Sequence, residues 1–187
     1  MQSCAKHTPK PFYSLQKTGI TKNNVTVSAQ ELSRENSEYY FNANVTKKSS
    51  SWFTEYPAYQ AVQVAIKNNS GTSYSLDTDS INAPLASYHD VSEKIYTLTR
   101  HNLPLWFFFG GILIWLPCLL ANNNLAPKIT EDLEGRTLES NTVETIDGYD
   151  SLTKFLFVPK DIASSSLSIE LTNKQNGEKT VFDLDLE

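Results

Sequence analysis

The hydrophobic positions of this chain follow two periodicities, interrupted once by a run with none. In NVTVSA, Val25 and Val27 alternate with threonine and serine, the two-residue period of a half-buried strand. The stretch YQAVQVAIKN, residues 59–68, sets Val62, Val64 and Ile66 on one face with Ala61 beside them, and predicts the main strand of the first half. It runs into Asn68-Asn69-Ser70-Gly71, four turn-forming residues, and resumes at Tyr74-Ser75-Leu76, which reads as a hairpin with a four- or five-residue loop. Further on, LTKFLFV (152–158) is a β-rich run stopped by Pro159. Leu167, Ile169 and Leu171 alternate with polar residues, as do Phe182, Leu184 and Leu186. Asn176-Gly177 lies between them and predicts a closing hairpin on a type I′ turn.

Between the two β regions the period changes to that of a helix. Val91, Ile95 and Leu98 share one face of residues 88–101, with Asp90 or Ser92 as the expected cap. Ile129 and Leu133 mark a second short helix within 125–138, and the acidic run Thr130-Glu131-Asp132-Leu133-Glu134 is expected to form its first turn. The tract Lys47-Lys48-Ser49-Ser50-Ser51 reads as a loop, and residues 1–19, with Pro9 and Pro11 and little periodicity, as an extended tether. The fold class expected is mainly β: an immunoglobulin-like antiparallel β-sandwich of seven or eight strands over residues 20–187, interrupted by a helical insertion at 88–140. Another antiparallel α+β arrangement is the alternative, and no Cys–Trp–Cys signature marks an antibody-type domain.

The run without a period is Leu103–Ala121, LPLWFFFGGILIWLPCLLA, nineteen residues with no charge, bracketed by Arg100 and Lys128. A helix at the surface shows polar residues every third or fourth position, and this stretch shows none. Nineteen helical residues rise about 28 Å, close to the roughly 30 Å of a hydrocarbon core. Gly110-Gly111 and Pro117 invite a bend, and arms of about nine residues reach only roughly 14 Å, one leaflet deep. If the flanking strands belong to one sandwich, both ends return to the same side of a bilayer. Insertion into one leaflet follows, through Trp106, Phe107, Phe108, Phe109, Ile112, Leu113, Trp115 and Leu116, with the two tryptophans at headgroup level. Burial in the core or in a homo-oligomer interface, and a single span between two separate halves, are the alternatives.

Charge and composition narrow the chemistry. With 16 Lys and Arg against 21 Asp and Glu, the 187-residue chain carries a net charge of −5, which speaks against a nucleic-acid partner held through phosphates. Two cysteines make neither a disulfide framework nor a Cys-rich zinc site. Cys118 lies in the apolar run, where a thiol stays protonated. Three histidines, His7, His89 and His101, are all the imidazole available. His89-Asp90 with Ser87 or Ser92 is the one arrangement from which a hydrolytic site can be imagined, but nearness in sequence is not triad geometry. Asp77 and Asp79 read as loop carboxylates without the further ligands of a calcium loop. No cofactor motif is present, and no catalytic residue is assigned.

Two resemblances add location. Met-Gln-Ser-Cys4-Ala-Lys, followed by a polar tether, resembles the mature start of a bacterial lipoprotein. The resemblance implies a lipidated Cys4 and a longer precursor, since no apolar signal core precedes Cys4 here. YQAVQVAIKNNS, the Gly- and Trp-containing apolar insertion, KFLFVPK and the closing hairpin together resemble bacterial envelope proteins with an immunoglobulin-like domain, over residues 20–187. That resemblance implies a non-enzymatic structural or scaffolding protein of the bacterial cell envelope, at the outer membrane or on the periplasmic side. Its implied partners are membrane lipid and a protein partner or a second copy of the chain.

Overall fold

The computed structural model describes residues 8–15, 19–50, 55–101 and 125–186. In chain order the elements are β1 (Ile20–Lys22), β2 (Val25–Glu31), α1 (Arg34–Phe41), β3 (Ser49–Ser50), β4 (Glu55–Tyr56), β5 (Tyr59–Asn68), β6 (Tyr74–Asp77), α2 (Tyr88–His101), α3 (Leu125–Arg136), β7 (Val143–Ile146), β8 (Ser151–Pro159), β9 (Ser166–Asn173) and β10 (Lys179–Asp185). One sheet has the order β1-β2-β5-β8 and a second β10-β9-β6-β7, all neighbours antiparallel, with β3 and β4 as a separate two-stranded ribbon.

Alternation along the strands builds three layers. Even residues of β5 and β8 (Val62, Val64, Ile66, Leu156, Val158) face the second sheet and meet Leu76, Ile169, Leu171 and Phe182. Odd residues (Tyr59, Ala61, Phe155, Phe157) face away from that sheet and are covered by Tyr40 and Phe41 of α1, Val91 and Ile95 of α2, and Ile129 and Leu133 of α3. Each such side chain, fully buried, contributes about 1.5–3 kcal/mol relative to exposure. Helices are needed because β5 and β8 are apolar on both faces, which a plain two-sheet sandwich leaves wet on one side. The helical region expected between the strands is therefore the third layer of the same domain.

Several expectations change on contact with the structure. Residues 59–68 and 74–77 do not form a hairpin: β5 pairs with β2 and β8, while β6 pairs with β7 and β9, so Asn68–Ser73 is a corner between sheets. Asn68 makes that corner. Its buried amide donates to the carbonyls of Thr72 (2.7 Å) and Asp147 (2.8 Å), and its Oδ1 accepts from the backbone N–H and hydroxyl of Ser70. Asn68→Ala should cost about 2 kcal/mol in chemical denaturation, because the buried amide that joins Ser70, Thr72 and Asp147 is removed from the corner. An unchanged midpoint would mean that the corner is held by its strands alone.

The closing hairpin is present, with Phe182 opposite Ile169 and Leu184 opposite Leu167. Its turn is not type I′, which needs positive φ at two residues, and only Gly177 (φ +73°) has it. The type I′ geometry occurs instead at Asn23 (φ 50°) and Asn24 (φ 59°), the two-residue link between β1 and β2. The cap of α2 is Ser87, whose hydroxyl accepts from the N–H of Asp90. The acidic run 130–134 does not open α3, which starts at Leu125; Asp132 is instead buried and paired with Arg136 at 3.0 Å. Part of the tract 47–51 enters the β3–β4 ribbon. Residues 8–15 have no regular secondary structure and are docked against the helical layer. Phe12 packs on Phe155, the Tyr13 N–H donates to the Tyr40 hydroxyl at 2.6 Å, and Gln63 donates to the Tyr13 carbonyl.

Candidate functional site

The geometry that bears on function surrounds the ends of the apolar run. Residues 102–124 lie outside the described residues, and with them the insertion residues Trp106, Phe107, Phe108, Phe109, Ile112, Leu113, Trp115 and Leu116; so does Cys4. What the fold fixes is where the run leaves and where it returns. Helix α2 carries the chain out, seated by Val91 and Ile95 with Tyr96 and Leu98 partly covered, and α3 brings it back, seated by Leu125, Ile129 and Leu133. The Thr130 hydroxyl donates to that of Ser92 at 3.1 Å, and one turn further on Ala126 shares a cleft with Tyr96. Moving forward along α2 is thus moving backward along α3, so the helices are antiparallel and residues 101 and 125 sit at the same end of the pair. Among the described residues no helix is long and apolar enough to cross a membrane.

The cleft between these helices, about 270 Å³, is lined by His89, Asp90, Ser92, Glu93, Tyr96 and Thr130. It gathers the side chains of the imagined hydrolytic set without joining them. The Ser87 hydroxyl donates to Asp90 at 3.0 Å as part of the helix cap. The Ser92 hydroxyl donates to the carbonyl of His89, and the His89 ring lies 4.3 Å from that of Tyr88. No hydroxyl is aimed at the imidazole by these contacts. Asp77 and Asp79 are likewise engaged by backbone, accepting from the N–H groups of Asp79 and Asn141. No group of three metal-ligating side chains occurs among the described residues.

The strongest polar arrangement was not singled out from the sequence. Lys94 on α2 is wholly buried, and its ammonium donates to the carbonyls of Val45 (2.8 Å), Lys47 (2.6 Å) and Pro57, while lying 5.1 Å from the centre of the Tyr59 ring. Burial pushes its pKa down to about 8. Tyr59 is pushed up to about 12, first by burial and then by the charges of Asp90 and Glu93. Three carbonyls match the three donors of an ammonium, so the site is a clamp from α2 onto both roots of the β3–β4 ribbon. The available signal was spacing: Lys94 is three residues after Val91 and four before Leu98, on the apolar stripe itself.

A second arrangement ties the opposite end of α3 to the amino-terminal segment. The Arg136 guanidinium lies 4.3 Å from the centre of the Phe12 ring and 5.2 Å from that of Phe155, pairs with the buried Asp132, and donates to the carbonyl of Lys10 at 2.8 Å. Beside it, Tyr13, Gln30, Leu32, Asn36 and Gln63 line a groove of about 490 Å³. Gln63 holds the segment here, donating to the Tyr13 carbonyl at 2.8 Å. Compared with protein-family models, with curated proteins and with solved structures, the chain matches none of them.

Proposed function

We propose that this chain is a non-enzymatic, membrane-associated protein of the bacterial cell envelope, a structural or interaction module held at one bilayer surface by residues 103–121. The observation that carries the reading is the antiparallel pairing of α2 and α3 on one face of one sheet, with Ser92 bonded to Thr130. A segment whose two ends emerge together from a single core re-enters the side it left. One crossing would put Ile95 and Ile129, members of one hydrophobic cluster, in different compartments. The charge-free, Trp- and Phe-rich composition of the segment supplies the affinity for lipid, and a lipid on Cys4 would act as a second attachment.

The domain itself we read as immunoglobulin-like. With β2, β5, β6, β7, β8, β9 and β10 taken as strands A, B, C, C′, E, F and G, the two sheets have the orders A-B-E and G-F-C-C′. What supports a non-catalytic role is the engagement of the Ser87, Ser92 and Asp90 side chains in helix capping and backbone contacts.

The test is a double substitution, Phe108→Asp with Ile112→Asp, followed by fractionation with an alkaline-carbonate wash. The expected result is a wild-type chain retained in the washed membranes and a variant released from them with its far-UV spectrum intact. Retention of the variant, or release of the wild type, would overturn the reading. Unfolding of the variant would also overturn it, by showing that the segment is packed within protein.

A further inference from the structure

We propose that Tyr40, Gln63, Phe155 and Arg136 form a peptide-binding groove. Its resident occupant, residues 8–15, gives way to a partner's segment of the same chemistry: a main chain without regular structure, carrying an aromatic residue preceded by proline. This inference is independent of the membrane reading.

The groove reads main chain. Tyr40 and Gln63 are buried, at 1% and 2% exposure, and the Tyr40 hydroxyl donates to Gln63 Oε1 at 3.0 Å. That fixed pair takes both backbone groups of one residue. The Tyr40 hydroxyl accepts from the Tyr13 N–H at 2.6 Å, and Gln63 Nε2 donates to the Tyr13 carbonyl at 2.8 Å. A neighbouring strand satisfies a residue in the same way, with one donor and one acceptor at once. Three residues earlier, Arg136 Nη2 donates to the Lys10 carbonyl at 2.8 Å. All three bonds go to backbone, so they place no demand on the occupant's side chains.

Selection falls on the rings. Phe155, directly opposite Gln63 across the β5–β8 ladder, and the Arg136 guanidinium hold the Phe12 ring at 4.8 Å and 4.3 Å. Tyr13, which is 47% exposed, adds a stack on Tyr39 at 4.4 Å. Pro11 fixes its own φ and disfavours the helical region for Lys10, so an occupant of this pattern arrives partly ordered.

The resident fills the groove incompletely. It adds no strand to either four-stranded sheet, and about 490 Å³ stays open among Ser14, Leu15, Gln30, Leu32, Asn36 and Gln63. A partner with a larger apolar residue in place of Ser14 buries surface there that residues 8–15 leave wet, and on that account displaces them.

The test uses the full chain in dodecyl maltoside and the end-capped peptide TPKPFYSL, residues 8–15, labelled for fluorescence anisotropy. Phe12→Ala with Tyr13→Ala in the chain removes the resident's ring contacts and loosens its hold. The peptide should bind this loosened chain with a dissociation constant of about 1 mM or below. It should bind the wild type at least about tenfold more weakly, because the attached segment competes at an effective concentration in the millimolar range. Ser14→Leu in the peptide should tighten binding about fivefold. N-methylation of the peptide at Tyr13 removes the donor that Tyr40 receives, and should weaken binding about tenfold without any change to the chain. Failure of the loosened chain to bind, equal binding by the wild type, no gain from Ser14→Leu or no loss on N-methylation would each overturn the proposal. Loss of the far-UV spectrum in the loosened chain would do so too, by making residues 8–15 part of the core. A wild-type dimer dissolved by the same two alanines would name a second copy as the occupant, and overturn it likewise.

Discussion

Phe155→Ala is expected to lower stability by about 4 kcal/mol, the middle of the range for removing a buried aromatic side chain. The ring is completely buried, and its neighbours come from every element of the helical layer's near end: Phe12 at 4.8 Å, Tyr40 at 5.0 Å, Phe41 at 5.1 Å and the Arg136 guanidinium at 5.2 Å. Alanine leaves a space bounded by rings and a guanidinium that cannot all move inward together, so relaxation recovers little. Urea denaturation followed by circular dichroism measures the loss. Limited proteolysis supplies a second signature: residues 8–15 should become cleavable before the sheets do, because Phe12 has lost its seat. A loss below about 1 kcal/mol would mean that the layer closes over the gap, contrary to the packing described.

Lys94→Met is expected to cost about 3 kcal/mol, since the carbonyls of Val45, Lys47 and Pro57 lose their shared donor inside the protein. The pH dependence gives a second check. The unfolded lysine titrates near its ordinary 10.5 and the folded one near 8. Between those values the unfolded chain holds a proton that the folded chain has released. Raising the pH from 8 to 10.5 therefore favours folding through this group, and below pH 8 the contribution is constant. Tyr59, beside the same ammonium, is pushed up to about 12 and titrates above that window. Stability measured from pH 7.5 to 9.5 should climb less steeply in Lys94→Met than in the wild type. Parallel slopes would show that the buried amine keeps its ordinary pKa. Hydrogen exchange should also quicken at 47–50 and at 55 and 56, the ribbon and root amides beside the carbonyls that the ammonium clamps.

The strands that carry the core were legible because alternation is a local signal. Val25–Ala29, Val62–Ile66, Leu167–Leu171 and Phe182–Leu186 each show it, and the stripes of α2 and α3 are equally plain. Partnership was not legible. Nothing local in Asn68–Tyr74 distinguishes a hairpin from a corner between sheets, because the deciding bond runs from Asn68 to Asp147, 79 residues away. α1 escaped notice because its aromatic residues, Tyr39, Tyr40 and Phe41, are adjacent and trace no 3.6-residue stripe. Lys94 was hidden by its charge: lysine on a helix is ordinarily solvated, and only the carbonyls of distant residues make its burial tolerable. Of the proposed site, the apolar segment was evident from composition, while the side-by-side placement of its ends came from the packing of α2 against α3.

The pairing of β5 with β8 joins residues 84–100 apart, from Lys67 with Ser151 to Tyr59 with Pro159. On a growing chain, this has a consequence for timing. At elongation rates of roughly 5–20 residues per second, the 38 residues between Ala121 and Pro159 take roughly 2–8 s to make. Throughout that interval the central sheet lacks its fourth strand, and α2 and α3 have only part of the surface on which they will rest. The apolar segment is therefore synthesised, and emerges, before the strand that completes the sheet. Until β8 is made, Phe155 and Phe157 are missing from the surface on which Val91 and Ile95 of α2 and Ile129 and Leu133 of α3 come to rest, so the helices that flank the segment settle only after it has been synthesised.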